Sequence, residues 1–216
     1  MERLDIAIPP IALRGILQMP QRASALVIFA HGSGSSRLSP RNTAVADAFN
    51  KRNIGTLLFD LLTASEERDR ANVFDIPLLA ERLIQTVAWA REQPQLASLP
   101  IGLFGASTGA AAALVAAATL GEQIGAVVSR GGRPDLAAPV LGDVTSPTLL
   151  IVGGDDLEVL ELNRSALAAL KAPKRLHIVP NASHLFPEPG AMQEVIEQAT
   201  SWFEEHLCAG ASRSQG

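Results

Sequence analysis

Short apolar runs alternate with helical patterns along most of this 216-residue chain, and this alternation constrains the fold more than any other feature. Six runs have the length and the flanking turn residues of buried strands. They are Ala25–Ala30, Thr56–Phe59, Ile101–Phe104, Ala126–Ser129, Thr148–Val152 and Arg175–Val179. Strands separated by helices favour a parallel sheet covered on both faces, so the sequence predicts an α/β fold.

The helices between these strands have recognisable beginnings. Ser39 followed by Pro40 predicts a helix that ends near Asn53, and Asp75 is placed to cap the next one. Further helices are predicted over Thr108–Leu120, Leu157–Leu170 and Ala191–Leu207. Prolines within Leu4–Leu17 favour an edge strand or hairpin there. No composition break marks a second domain, so we expect a single domain over 1–208 and a flexible tail over 209–216.

Composition narrows the classes of partner. A net charge of −4 lacks the basic footprint of a nucleic-acid-binding protein. The N-terminus lacks the layout of a secretory signal, and no apolar stretch reaches the roughly 20 residues that span a bilayer. One cysteine, Cys208, excludes an internal disulfide and can build no zinc site. We therefore expect a cytoplasmic protein with no membrane or nucleic-acid partner, no metal and no cofactor.

A G-x-S-x-G sequence joins one predicted strand to the next helix. In Gly105-Ala-Ser-Thr-Gly109, Ser107 follows the strand beginning at Ile101 and precedes an alanine-rich helix. This context is typical of a nucleophile elbow, in which small residues allow strand and helix to approach closely. Ser107 is therefore the candidate nucleophile.

A serine nucleophile needs a base and an acid that orients the base. His184 follows the last predicted strand, and Asp155 and Asp156 follow the strand before it. The order serine, acid, histidine is that of α/β-hydrolases. We favour Asp156 as the acid, with Asp155 as the alternative, and either aspartate could instead cap the following helix.

A glycine- and serine-rich loop follows the first central strand. Acyl transfer requires backbone N–H donors for the oxyanion, and the sequence His31-Gly-Ser-Gly34 fits one such loop. We predict Ser33 as one donor, with Gly34 as the alternative, and Thr108 as the other. A plain turn remains a second interpretation, whereas a Walker A site is excluded because no Gly-Lys-Ser/Thr follows.

Together these motifs resemble the α/β-hydrolase superfamily over nearly the whole chain. The runs Ala106–Ala113 and Ser129–Asp135 are similar to those of its small dienelactone-hydrolase-related group, and to proteins of that group found beside phosphoribosyltransferase domains. The resemblance implies an α/β-hydrolase fold and a two-step acyl-enzyme mechanism. Ser107 would attack a carbonyl, His184 would remove its proton and Asp156 would hold the imidazole. Characterised dienelactone hydrolases carry a cysteine nucleophile, so Ser107 favours a small ordinary ester or a lactone.

The same residues also suit acyl transfer or amide hydrolysis, and the fold alone also occurs in non-catalytic binding domains. The interval Arg130–Pro147 is too short for a helical cap, which predicts an open site with no substantial lid. Arg130 and Arg133 are expected near that site. Arg130 could bind a substrate carboxylate, or either arginine could form an internal ion pair with Asp135 or Asp60.

Overall fold

The computed structural model describes residues 2–208, and the predicted tail at 209–216 lies outside the described residues. Eight strands form one sheet, and their bounds are β1 Glu2–Ile8, β2 Leu13–Met19, β3 Ala25–Ala30, β4 Ile54–Phe59, β5 Ile101–Ala106, β6 Ile124–Arg130, β7 Thr148–Gly153 and β8 Lys174–Val179. The spatial order is β1-β2-β4-β3-β5-β6-β7-β8. Strands β4 to β8 and β3 run parallel, whereas β1 and β2 form the antiparallel hairpin predicted at one edge.

Six α-helices lie between or after the strands within residues 2–208, and their bounds are α1 Pro40–Lys51, α2 Arg70–Val73, α3 Ile76–Glu92, α4 Thr108–Leu120, α5 Leu157–Ala169 and α6 Ala191–Phe203. Short 3₁₀ segments cover Glu66–Arg68, Gly121–Gln123 and Pro134–Asp143, and a π-helical turn over Glu204–Cys208 follows α6. No helix within residues 2–208 is long and apolar enough to cross a membrane.

Side chains alternate in direction along each strand, so the hydrophobic core is divided between the two faces of the sheet. Residues such as Val127 and Leu150 pack beneath α3, α4 and α5, whereas Val128 and Ile151 pack beneath α1 and α6. Successive strand side chains point to opposite faces, which is why both faces are apolar along the central strands. The predicted α/β architecture, a mostly parallel sheet with helices on both faces, is confirmed.

The interval after β6 is occupied by the 3₁₀ segment rather than by a cap. Ala137 and Leu141 of this segment are buried in the core on the α3–α5 face. The segment therefore packs against the body of the protein, and the C-terminal edge of the parallel strands is left to short connecting loops.

Candidate active site

Ser107 lies on the sharp turn between β5 and α4. Its backbone has φ 52° and ψ −122°, a conformation that non-glycine residues rarely adopt. The turn is crowded, because a Cβ atom on Gly105 would come within 2.4 Å of Ala110 Cα and one on Gly109 within 2.2 Å of the Ala30 carbonyl oxygen. The Ser107 amide donates to the Arg130 carbonyl oxygen on the neighbouring strand. The elbow is therefore held by packing on both flanks and by a hydrogen bond at the serine itself.

His184 follows β8 and meets an aspartate that follows β7. His184 Nδ1 lies 2.7 Å from Asp156 Oδ2, and the Asp156 side chain is 15% exposed. Asp156 is the N-cap residue of α5, yet its side chain makes no capping hydrogen bond, so its carboxylate is committed to the histidine. Asp155 is exposed, and its side chain makes no hydrogen bond within residues 2–208. The structure thus brings Asp156, rather than Asp155, to His184.

An open cavity of about 1080 Å³ joins Ser107 and His184 at the C-terminal edge of the sheet. It is lined by residues 32–36 and 38–41, Glu67, Arg70, Val73, Phe74, Ala106, Ser107, Arg130, His184 and Leu185. Within residues 2–208 no hydrogen bond joins the Ser107 hydroxyl to His184. Hydrogen bonds of this kind are often long in unliganded enzymes and shorten when substrate binds.

The loop after β3 lies against the serine. A Cβ atom on Gly32 would come within 3.0 Å of Ser107 Cβ, so the loop backbone approaches the serine directly. The Ser33 amide donates to Thr108 Oγ1 at 3.0 Å. The two residues predicted to bind the oxyanion are thus adjacent, but the Ser33 amide is occupied by a neighbouring hydroxyl. The amide of Thr108, at the first position of α4, has no acceptor within the helix.

His31 anchors this loop to the end of β4. Its Nε2 accepts the Leu61 amide at 3.1 Å, so the ring proton resides on Nδ1, which donates to the Gly32 carbonyl oxygen at 3.0 Å. Burial lowers the pKa of His31. The hydrogen bond to Gly32 and the charges of Asp60 and Glu67 raise this pKa, but the effect of burial is larger. His31 is therefore a neutral side chain that holds the loop in place, a role that its position in the motif alone did not reveal.

The model of the dienelactone hydrolase family matches residues 46–207 of the chain. The chain belongs to the dienelactone hydrolase family. A dienelactone hydrolase from Anabaena variabilis is 50% identical, and the match covers 95% of this chain and 98% of that one with a TM-score of 0.93. Est1E from Butyrivibrio proteoclasticus, 16% identical with a TM-score of 0.81 over 96% of this chain and 99% of its own, shares the fold. The family and these structures support a hydrolase.

Two curated relatives of this family member, from the CDC 1551 and H37Rv strains of Mycobacterium tuberculosis, are 55% identical to it over 207 residues. Both carry the name "Putative phosphoribosyl transferase". The match covers 96% of this chain but 47% of each relative, so the chain spans about half the length of the curated relatives it matches.

Two arginines at or just after the end of β6, Arg130 and Arg133, differ in their surroundings in this member of the dienelactone hydrolase family. Arg133 forms a bidentate pair with Asp135, at 2.8 Å from Nε and 2.7 Å from Nη2, as the internal ion-pair interpretation predicted. For Arg130 that interpretation is wrong. Asp60 pairs with Arg37 instead, and Arg130 Nη1 is buried without a hydrogen-bond partner within residues 2–208. Arg130 is 8% exposed, and its side chain lines the cavity beside Ser107.

Sequence reasoning overlooked Arg41 and Arg70, which also line the cavity. Arg41 lies in the first turn of α1, directly after the loop that carries Ser33. Its position was available from the sequence, because a residue at the start of a helix that follows a parallel strand lies at the same edge of the sheet as the site. Glu66, in the loop after β4, pairs with Arg82 of α3, with 2.8 Å between Oε1 and Nη2.

Proposed function

We propose that this protein is a serine hydrolase that cleaves carboxylic esters or lactones of small substrates through an acyl-enzyme on Ser107. One observation carries the proposal: the Asp156–His184 hydrogen bond of 2.7 Å lies in the same cavity as a serine held on a strained strand-to-helix turn. A serine, a histidine and a carboxylate in these relative positions are the requirement for generating a nucleophile at neutral pH.

In the proposed reaction, Ser107 Oγ attacks the acyl carbonyl and transfers its proton to His184. Asp156 keeps the imidazole in one orientation and stabilises its positive charge. The developing oxyanion accepts hydrogen bonds from the Thr108 and Ser33 amides, and the Ser33 amide must first exchange Thr108 Oγ1 for the substrate oxygen. The imidazolium then protonates the leaving alkoxide. Water, deprotonated by His184, attacks the acyl-enzyme and releases the acid and Ser107.

The shape of the cavity supports small substrates. It is open, its walls are short loops and the short helix α2, and its lining mixes serine, arginine and a few apolar side chains. A long acyl chain would need a mainly apolar wall, because its binding depends on removing apolar surface from water. An ester or lactone with a polar body fits this lining better than a long acyl chain.

Labelling with a fluorophosphonate tests the proposal directly. Wild-type protein should form an adduct that peptide mass spectrometry locates on Ser107, and Ser107→Ala should form none. Ser98→Ala, an exposed serine remote from the cavity, is the matched control and should label like the wild type. Absence of an adduct in folded wild-type protein would overturn the proposal.

Product analysis then separates the related reactions. With p-nitrophenyl esters of increasing chain length, we expect the acetate and butyrate to be hydrolysed faster than longer esters. Capture of the acyl group by an added alcohol or amine in preference to water would instead indicate an acyltransferase.

A further inference from the structure

Arg130 is a buried positive charge with no counter-ion among the residues described. It ends β6, and by strand alternation its side chain points to the same face of the sheet as Val128, beneath α1 and α6. Burial, together with the charge of Arg41, lowers the pKa of Arg130 to about 10, so the guanidinium is still charged at neutral pH. An unpaired buried charge is costly, and such a charge is normally matched by an anion.

Arg41 supplies a second positive charge in the same cavity. Its side chain is half-buried and makes no hydrogen bond or ion pair within residues 2–208. Arg70 also lines the cavity, with its guanidinium 5.7 Å from the centre of the Phe74 ring. Three arginines face one carboxylate, that of the exposed Glu67, so the lining carries a net charge of about +2 in a chain whose net charge is −4.

The N-terminal end of the 12-residue helix α1 opens onto the same space. Ser39, Pro40 and Arg41 all line the cavity. Ser39 caps the helix by accepting the Asn42 amide, and Pro40 has no amide proton, so the Arg41 amide is the one left without an acceptor in this turn. Helix N-termini favour anions through such free amides and through the helix dipole.

We propose that Arg130, Arg41 and the first turn of α1 form a phosphate-binding subsite beside Ser107. The substrates are therefore esters that also carry a phosphate monoester. The part of this inference that concerns the substrate ester rests on the proposed function, whereas the binding of the anion does not. The subsite lies next to the reaction centre, because Arg130 pairs with Ala106 in the sheet and a Cβ atom on Gly131 would come within 3.6 Å of His184 Cε1.

The charge of the subsite favours phosphate over a carboxylate. A phosphate monoester carries a charge of about −1.5 to −2 at pH 7 and three acceptor oxygens, which can engage two guanidinium groups and a backbone amide together. A carboxylate has one charge and two oxygens, so it would neutralise only one of the two guanidinium charges and offer fewer acceptors than a phosphate. The two guanidinium groups and the free amide match the larger anion.

Titration calorimetry with inorganic phosphate tests the subsite without requiring turnover. The titrations use Ser107→Ala protein, with acetate and sulfate at equal ionic strength as comparison anions. We expect phosphate to bind more tightly than acetate, and Arg41→Gln in the same background to weaken phosphate binding about tenfold. Arg130→Met should weaken it at least as much. Arg52→Gln changes an exposed arginine that caps the C-terminal end of α1; it is the matched control and should leave the affinity unchanged.

Three results would overturn the subsite: no phosphate binding, equal affinity for acetate and phosphate, or unchanged affinity in Arg41→Gln. Arg41 is half-buried, so that variant remains informative if Arg130→Met fails to fold. A kinetic comparison adds a second measurement. Wild-type protein should show about tenfold lower KM for acetylated glycerol phosphate than for acetylated glycerol. If Ser107 labels but phosphate does not bind, the subsite fails alone; if phosphate binds but Ser107 does not label, the hydrolase proposal fails alone.

Discussion

The adjacent residues Asp155 and Asp156 have different surroundings, and this difference allows a test of which one orients His184. Asp156→Asn should lower the rate of fluorophosphonate labelling about 10³- to 10⁴-fold, because the amide no longer holds the imidazole in the orientation that accepts the serine proton. Asp155→Asn is the matched control and should label within about twofold of the wild type, since its side chain is exposed. Equal rates for the two variants would contradict the assignment of Asp156.

His31 makes stability depend on pH in a defined direction. Because its pKa is lowered on folding from 6.5, the unfolded chain binds more protons than the folded protein below about pH 7. The free energy of unfolding should therefore fall as the pH is lowered through 6.5, and level off below the pKa of the folded state. Urea unfolding between pH 7.5 and 5 measures this slope.

His31→Gln isolates that contribution. Glutamine keeps an acceptor for the Leu61 amide but does not titrate, and the other three of the four histidines are unchanged. We expect a smaller dependence on pH in the variant. A slope equal to that of the wild type would show that His31 is not the group responsible.

Sequence patterns located the candidate residues, but they did not predict every contact that these residues make. The order of Ser107, His184 and the two aspartates was readable because each follows a strand. The sequence favoured Asp156 as the acid, and the structure brings Asp156 to His184, but Asp155 stayed open because the choice depends on which carboxylate turns toward a residue 28 positions away. The contact of the Ser33 amide with the Thr108 hydroxyl escaped prediction for the same reason, because it joins residues 75 positions apart.

The crossing of α4 over the loop after β3 leaves no room for a side chain at Gly109. Gly109→Ala should destabilise the protein by about 3 kcal/mol, because the new methyl group would meet two backbone carbonyl oxygens that cannot move aside independently. Urea unfolding gives this difference, and far-UV circular dichroism confirms that the variant is folded.

Gly142 provides the matched control for that substitution. A Cβ atom there would approach the terminal atoms of the flexible Lys171 side chain at 3.3 Å. Gly142→Ala should therefore change the free energy of unfolding by no more than about 0.5 kcal/mol. Equal losses in the two variants would show that the close crossing at Gly109 is not the cause.

The bounds of a helix with start and stop residues in its own sequence were predicted closely, whereas the burial of a strand, which depends on its neighbours in the sheet, was not. Helix α4 has the predicted bounds, because the elbow begins it and Gly121 ends it. Strand β8 was predicted as a buried strand, yet most of it is exposed or half-buried because it pairs with β7 alone. In this strand, His177 Nε2 lies 2.6 Å from Glu194 Oε1 of α6. An apolar run does not reveal whether a strand is central or at an edge.

The two tryptophans report on opposite faces of the sheet, and this permits a test of the whole molecule. Trp89 packs on the face covered by α3, and Trp202 on the face covered by α6. If residues 1–208 form the single predicted domain, both faces should unfold together, since they share the same strands.

Single-tryptophan variants provide the measurement. In Trp89→Phe and in Trp202→Phe, the urea midpoint from the remaining tryptophan's fluorescence should coincide with the midpoint from far-UV circular dichroism. Each variant serves as its own control, because both signals come from the same protein. Midpoints that differ within one variant would indicate separately unfolding layers and would contradict the single domain.

Strand β8 is an edge strand, and its unpaired edge affects whether copies of the chain associate in concentrated solution. A lateral strand with unsatisfied backbone groups is a template onto which another chain can add by main-chain hydrogen bonding. Here that strand begins with two cationic side chains, Lys174 and Arg175. Pairing of a second molecule with this edge strand would remove water from both cations. These two cations thus discourage edge-to-edge growth of copies of the chain into fibrils.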